Sequence, residues 1–335
     1  MSTKIRYDRL IIALTDDELE SFVREWAIKK AEYHEVERFT GPGDMGRDVV
    51  GFCTKERHEG PWDNYQCKQY GRTLQTEVGV REISKLLYYS FTGQFSTPTS
   101  YFFVAPRGIN RNLKRLIANP SQFRQALLDK WTEYCADKIS ENVNIPLDAG
   151  LRTFIQAWDF SRIRAISVDD MLGDAAIKPA LYSWFGADPG PPPIGTVPSN
   201  IESRETPYIR QLLDAYGERE NCTFSSYDAL KPHVEHDYHL RLQRERFFDA
   251  DAFSRFYRDN TMDAEINILR RDMIHGVIDT HRANHTDTLT RIDAVMTQAA
   301  NVNPSGVLAK YARVPVRQGI CHHFVNEGQI KWQKI

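Results

Sequence analysis

Residues 41–70, GPGDMGRDVVGFCTKERHEGPWDNYQCKQY, set an acidic residue and a Gln-x-Lys on two neighbouring strand-like segments. Asp48 opens the apolar run Val49-Val50-Gly51-Phe52, and Gln66 and Lys68 alternate along Tyr65–Tyr70, so their side chains share one face of that strand. A carboxylate can hold a hard divalent cation, and a lysine beside it can orient a water, deprotonate it as the neutral amine, or as the ammonium neutralise a developing phosphate charge. The pattern points to metal-dependent phosphodiester cleavage.

The flanking segments supply a scaffold for such a site. Asp16–Ala31 carries Leu19, Phe22, Val23, Trp26 and Ala27 at helical spacing, and Glu35–Phe39 alternates as a short strand. A second helix is expected over Thr76–Ser90, with Val80, Ile83, Leu86 and Leu87 on one side, and Tyr101–Ala105 reads as a buried strand. Helix, three strands, helix, strand is the resulting order.

This order, with Gly43-Asp44-Met45-Gly46-Arg47-Asp48 leading into the first strand of the site, resembles the restriction-endonuclease-like nucleases with a PD-(D/E)xK core, in the Gln-x-Lys variant of Mrr-type enzymes. The resemblance covers roughly residues 10–110. It implies an α/β restriction-endonuclease-like core, a mixed central sheet flanked by helices, acting as a metal-dependent endodeoxyribonuclease on double-stranded DNA. Carried over residue by residue, Asp48 is the main metal ligand, Gln66 stands at the usual second acidic position, Lys68 is the catalytic lysine, and Glu20 is the glutamate of the first helix. Mg²⁺ or Mn²⁺ is expected on Asp48, the backbone carbonyl of Cys67, and one of Glu20 or Asp44. Asp44 also reads as a plain turn residue between two glycines. Gln66 removes one negative charge from the metal shell, which leaves open a subunit that keeps the fold and serves as a DNA-binding or scaffold component with little catalysis. Cutting both strands of a duplex needs two sites, hence an oligomer when active.

Composition bounds the remaining choices. A chain of 335 residues is long enough for two domains, and 41% hydrophobic with 26% charged residues is ordinary for a globular protein. No basic start followed by an apolar stretch and no run of membrane-spanning length is seen, so the expectation is a cytoplasmic protein with neither secretory signal nor anchor. Five cysteines without paired spacing fit reduced thiols. The net charge of −2 is unusual for a nuclease that grips DNA alone, because phosphate contacts dominate such affinity. Either a partner delivers the DNA or the basic residues share one face. Arg107, Arg111, Lys114 and Arg115 are the candidates for phosphate contacts, with a solvated loop and helix start as the alternative. Arg241–Arg246 reads as a solvated helical face or a protein contact rather than a DNA contact.

Further along, Ser121–Ile139 reads as one helix, while the type of Gly150–Asp159 and Ser161–Ile166 stays open. The run GADPGPPPIGTVPS, 186–199, serves as a stiff connector or extended arm. The expected division is a nuclease domain over 1–165, a bridging segment and Pro-rich linker over 166–200, and a mainly α-helical C-terminal domain over 201–335. Helical patterns recur at Pro207–Tyr216, Tyr238–Tyr257, Asp263–Arg282 and Ala294–Ala300. Cys321–Val325 with Ile330–Trp332 is expected to form a small hairpin. Eight of the ten histidines lie in this domain, among them His233, His236 and His239 at three-residue spacing, but no CxxC or HExxH accompanies them and zinc is disfavoured. No Walker-type loop or Gly-x-Ser-x-Gly is present.

A nuclease core, a proline-rich joint and a helical domain without chemistry of its own is similar to the effector subunit of Lamassu and related three-component antiphage systems. That resemblance implies an SMC-like ATPase subunit and a small middle subunit as partners. Residues 201–335 would then dock on them and hold the nuclease inactive until release or oligomerisation. A stand-alone modification-dependent restriction endonuclease, whose C-terminal domain reads DNA, is the rival arrangement.

Overall fold

The computed structural model describes residues 6–140, 143–260 and 262–333. The chain divides into two compact units, Met1–Asp188 and Pro189–Ile335.

The first unit opens with α1 (Tyr7–Ala13) and α2 (Asp16–Ile28). α2 starts at a reciprocal cap in which Thr15 accepts from the Glu18 backbone and Glu18 from that of Thr15. Then follow β1 (Glu35–Arg38), β2 (Val49–Phe52), β3 (Trp62–Cys67), α3 (Thr76–Phe91) and β4 (Ser100–Val104). α4 (Arg111–Ile117), α5 (Pro120–Asp129), α6 (Trp131–Tyr134) and α7 (Ala149–Ala157) lead to β5 (Ile163–Ile166), α8 (Val168–Gly173) and α9 (Lys178–Phe185). The five strands form one sheet in chain order, antiparallel from β1 to β3 and parallel from β3 to β5.

Both faces of this sheet are covered, which is why β2 reads as a continuous apolar run and is buried at every position. Val50, Phe52, Trp62, Tyr101 and Phe103 pack with Val80, Ile83 and Leu87 of α3 and with Leu113, Phe123 and Leu151 of the helices beyond it. Val49, Tyr65, Cys67 and Val104 face Phe22, Val23 and Trp26 of α2, together with Met171 and Leu181 of α8 and α9. Gly51 is needed in β2 because a Cβ there would sit 2.6 Å from the Tyr33 ring.

Up to the border of the first unit, three expectations change. β3 ends at Cys67, so Lys68 is the first residue beyond it, although its N–H continues the ladder to the Val104 carbonyl at 2.9 Å. The single helix expected over Ser121–Ile139 is two, broken at Lys130, where Trp131 turns inward and its Nε1 donates to the Ile145 carbonyl. The bridge expected over 166–200 is split: α8 and α9 belong to the core of the first unit, whereas the chain from Pro189 belongs to the second. Short helices with few apolar residues leave little periodicity to read.

The second unit contains α10 (Thr206–Glu220), α11 (Val234–Asp259), α12 (Asp263–Arg282), α13 (Thr288–Asn301) and α14 (Val314–Asn326). Its core gathers Leu212, Leu240, Phe247, Phe253, Met273, Ile292, Ile320, Phe324 and Trp332. The hairpin expected near the C-terminus is instead α14, with Pro315 in the first turn, where its missing N–H costs nothing. α14 crosses α11 so closely that a Cβ on Gly319 would lie 1.9 Å from the Arg246 carbonyl oxygen. The proline-rich arm is fastened along α11: Tyr257 OH donates to the Gly190 carbonyl, the Gly195 N–H to Asp249, and Arg244 to the carbonyls of Pro198 and Asn200. Arg244 also forms a buried pair with Glu205 at 2.6 Å.

Candidate active site

The order of strands brings the carboxyl ends of β3, β4 and β5 and the start of β2 to one edge of the sheet. In open α/β sheets this edge is where ligands bind. Extending the β2–β3 register one step past Val49↔Tyr65 sets Asp48 opposite Gln66. The turn before Asp48 is built for the purpose. Met45 and Gly46 take left-handed φ values of 54° and 87°, and Asp44 Oδ1 accepts from the Gly46 N–H at 2.9 Å. Asn64 Nδ2 donates to the Gly46 carbonyl. The Arg47 guanidinium lies 4.3 Å from the ring centroids of both Phe39 and Phe95 and donates to His58 Nε2. Burial, reinforced by the Arg47 and Arg57 cations, pushes His58 down to about 4, so the ring is neutral and free to accept.

Asp48 is held on one oxygen. Its Oδ2 accepts from Gln66 Nε2 at 2.6 Å and from the Cys67 N–H at 2.8 Å, while Oδ1 takes no hydrogen bond from the described residues. Gln66 is anchored in turn by Tyr101 OH, which donates to Oε1 at 3.3 Å. Lys68 Nζ stands 3.9 Å from Asp48 Oδ2 and 3.7 Å from Glu82 Oε1. Burial pushes the Asp48 carboxyl up to about 7, with the Lys68 ammonium opposing the rise and Glu20 and Glu82 adding to it. Burial also works against the charge of Lys68, but the carboxylates of Glu82 and Asp48 outweigh it and hold this lysine above its usual range. Lys68 is therefore a charged donor here, not a base.

The structure thus brings Asp48, Gln66 and Lys68 together as their spacing implied. It treats the two auxiliary acids differently. Glu20 accepts from Arg38 Nε at 2.9 Å, beside Ser21 and Asp17, which engage the same guanidinium. Asp44 Oδ1 pairs with Lys85 Nζ at 2.6 Å. Both acids are thus engaged by cations. The Cys67 carbonyl shares the side of its own N–H, as it does for any strand residue, and so lies towards Asp48.

Glu82 of α3 is the site residue that the sequence reading missed. It is 9% exposed, on the flank of a stripe formed by Gly79, Val80, Ile83, Leu86 and Leu87. Its place beside that stripe gave no signal by itself, since a glutamate on a helix flank is normally solvated; it is burial under the fold that makes its carboxylate costly without a partner.

Among the described residues no group of three or more His, Cys, Asp or Glu is placed to hold a metal ion. Mg²⁺ commonly needs only one or two protein carboxylates, completed by water and substrate phosphate. Asp48 Oδ1 and the Cys67 carbonyl fit that kind of donor set. His236 is hydrogen-bonded to Glu220, His239 to Tyr216 and Gln243, and His322 to Gln243, while the His233 ring packs edge-on against Phe224.

Arg107, Arg111, Lys114 and Arg115 are all exposed and form no ion pair with the described residues. They lie just past β4 and on α4, where Asn110 caps the helix through the Leu113 N–H. Lys114 lines a groove of about 650 Å³ with Gly108, Ile109, Ser167, Asp169 and Asp170, so its walls carry both signs of charge. A second groove, of about 560 Å³, is lined by Tyr70, Gly71, Arg72, Gln75 and Val78 on the chain just after Lys68.

Residues 205–332 match the family model of CTD6, C-terminal domain 6 of the ABC-three component (ABC-3C) systems. The CTD6 match spans α10 to α14, ends within the described chain at Trp332, and supports membership of such a system. No curated protein and no solved structure matches the chain. No helix among the described residues is long and apolar enough to cross a membrane.

Proposed function

We propose that the first unit is a metal-dependent endodeoxyribonuclease with a restriction-endonuclease-like core, and that the chain is the effector subunit of a three-component antiphage or anti-plasmid system. The observation that carries the catalytic reading is Asp48, gripped on one oxygen by Gln66 and the Cys67 N–H, with the Lys68 ammonium beside it at the strand-end edge of the sheet. Asp48 Oδ1 and the Cys67 carbonyl would hold Mg²⁺ or Mn²⁺, which when bound supplies polarisation of the scissile phosphate and neutralises its developing charge. Gln66 fixes the Asp48 rotamer without adding a second negative charge against it. Lys68, kept protonated, orients the attacking water and donates towards a non-bridging phosphate oxygen. Arg107, Arg111, Lys114 and Arg115 position the duplex through its phosphates.

The CTD6 match supports a docking role for the second unit over that of a stand-alone DNA reader. In this reading the partners, an SMC-like ATPase and a small middle subunit, hold the nuclease inactive, and release or oligomerisation pairs two sites on a duplex. The test is cleavage of supercoiled and linear plasmid by the full chain with Mg²⁺ or Mn²⁺, alone and with its co-expressed partner subunits, against Asp48→Asn in the same preparations. Metal-dependent cutting that the substitution abolishes is the expected result. No cutting in any combination would leave the fold without the activity.

A further inference from the structure

We propose that Glu82 supplies the second carboxylate of the site, reaching in from α3 to do what an acid at position 66 would otherwise do. The inference rests on the nuclease reading and adds a residue that the strand pattern does not contain.

Gln66 is already committed elsewhere and does not serve as a metal ligand in this arrangement. Its amide nitrogen is given to Asp48 Oδ2 at 2.6 Å and its amide oxygen accepts from Tyr101 OH. A carboxylate at that place would face Asp48 across the same short distance, and two like charges so close cannot both ionise without strong stabilisation. The neutral amide removes that conflict and turns residue 66 into a clamp on Asp48. The negative charge missing from the strand reappears across the same face of the sheet. Glu82 projects from α3 to within 3.7 Å of Lys68 Nζ, the same ammonium that stands 3.9 Å from Asp48 Oδ2. Among the described residues its one other cationic neighbour is Arg81, at 3.9 Å and without a hydrogen bond.

Burial sharpens the point. Glu82 sits beside Gly79, Val80 and Ile83 at a position where an apolar residue would pack without desolvating a charge. The carboxylate there is compensated only by the Lys68 and Arg81 cations among the described residues. Asp48 and Glu82 would together give the site two carboxylates, within the one or two that commonly hold Mg²⁺. Glu20 and Asp44 are weaker choices, since each already holds a guanidinium or ammonium at 2.9 Å or less.

Mn²⁺ binding to the full chain, measured by calorimetry and by the electron paramagnetic resonance of free Mn²⁺, separates the possibilities. Wild type is compared with Asp48→Asn, Glu82→Gln and the double variant Gln66→Glu/Glu82→Gln, with plasmid cleavage read in parallel. Glu82→Gln is expected to weaken Mn²⁺ binding by at least about tenfold. The double variant, with its carboxylate moved back onto β3, is expected to regain most of that affinity, an outcome that also shows the single variant to be folded. If Asp48→Asn loses Mn²⁺ while Glu82→Gln binds it like wild type, Glu82 has no such role and the nuclease reading stands. If wild type and Asp48→Asn bind Mn²⁺ equally weakly and neither cuts, the nuclease reading falls and the role of Glu82 with it.

Discussion

At the level of single residues, the candidate site costs the fold stability at Asp48. Asp48 is 5% exposed, and burial raises its carboxyl to about 7 despite the neighbouring lysine. An unfolded aspartate titrates near 4. The folded state therefore holds this proton more tightly than the unfolded chain, and Asp48 subtracts from stability as pH rises from about 4 towards 7. Asp48→Asn removes the titration, so the variant should gain in thermal midpoint on the wild type between pH 5 and pH 8. A constant difference across that range, read by thermal unfolding at low salt, would contradict the assignment. Asp48, Gln66 and Lys68 were legible because a strand alternates its side chains, so residues two apart must share a face whatever the tertiary packing. Glu82 was not, because a glutamate on an amphipathic helix is normally solvated. Only the position of α3 over the sheet shows that this one is not.

The same contrast holds at the level of elements. α2, α3, β1 and β4 were readable within a few residues because each has one periodic apolar face and a sheet to bury it against. α14 was misread because Cys321-His322-His323-Phe324-Val325 has strand-like composition, while what makes it helical is non-local: a close crossing with α11 at Gly319, and His322 buried against the Tyr208 ring, 4.4 Å away. Gly319→Val therefore forces the two helices apart. Its expected cost is about 1–3 kcal/mol or more, by analogy with overpacked cores, visible as a lowered urea midpoint of the full chain. An unchanged midpoint would show that the helices can separate freely. The proline-rich arm follows the same rule. Its composition predicts extended chain, but not that Arg244, Asp249 and Tyr257 fasten it along α11, since those partners lie 46, 54 and 67 residues further on.

For the whole molecule, a net charge of −2 gives no general attraction to DNA, so the proposed DNA binding needs a local concentration of cations. Arg111, Lys114 and Arg115 are exposed and without ion pairs among the described residues, a state that suits phosphate binding better than support of the fold. Replacing the three by alanine should weaken DNA binding across sequences alike. It should also flatten the dependence of log K on log salt by roughly one unit for each phosphate no longer neutralised. Weaker affinity with an unchanged slope would place the DNA elsewhere. The division of the chain was legible only at the run of prolines. α8 and α9, too short to show a period, join the first unit and shift its border to Asp188. The helical half offered patterns but no chemistry, and its match to CTD6 is what ties it to a multi-subunit system.

The most direct test of the nuclease proposal is the rate of supercoiled-plasmid cleavage in Mn²⁺ by wild type and by Lys68→Ala, with circular dichroism showing both folded. With its water-orienting and charge-neutralising cation removed, the variant is predicted to cut at least about 100-fold more slowly, the scale of removing one positioned proton donor or transition-state hydrogen bond. Cleavage by Lys68→Ala at the wild-type rate would contradict the account at its centre.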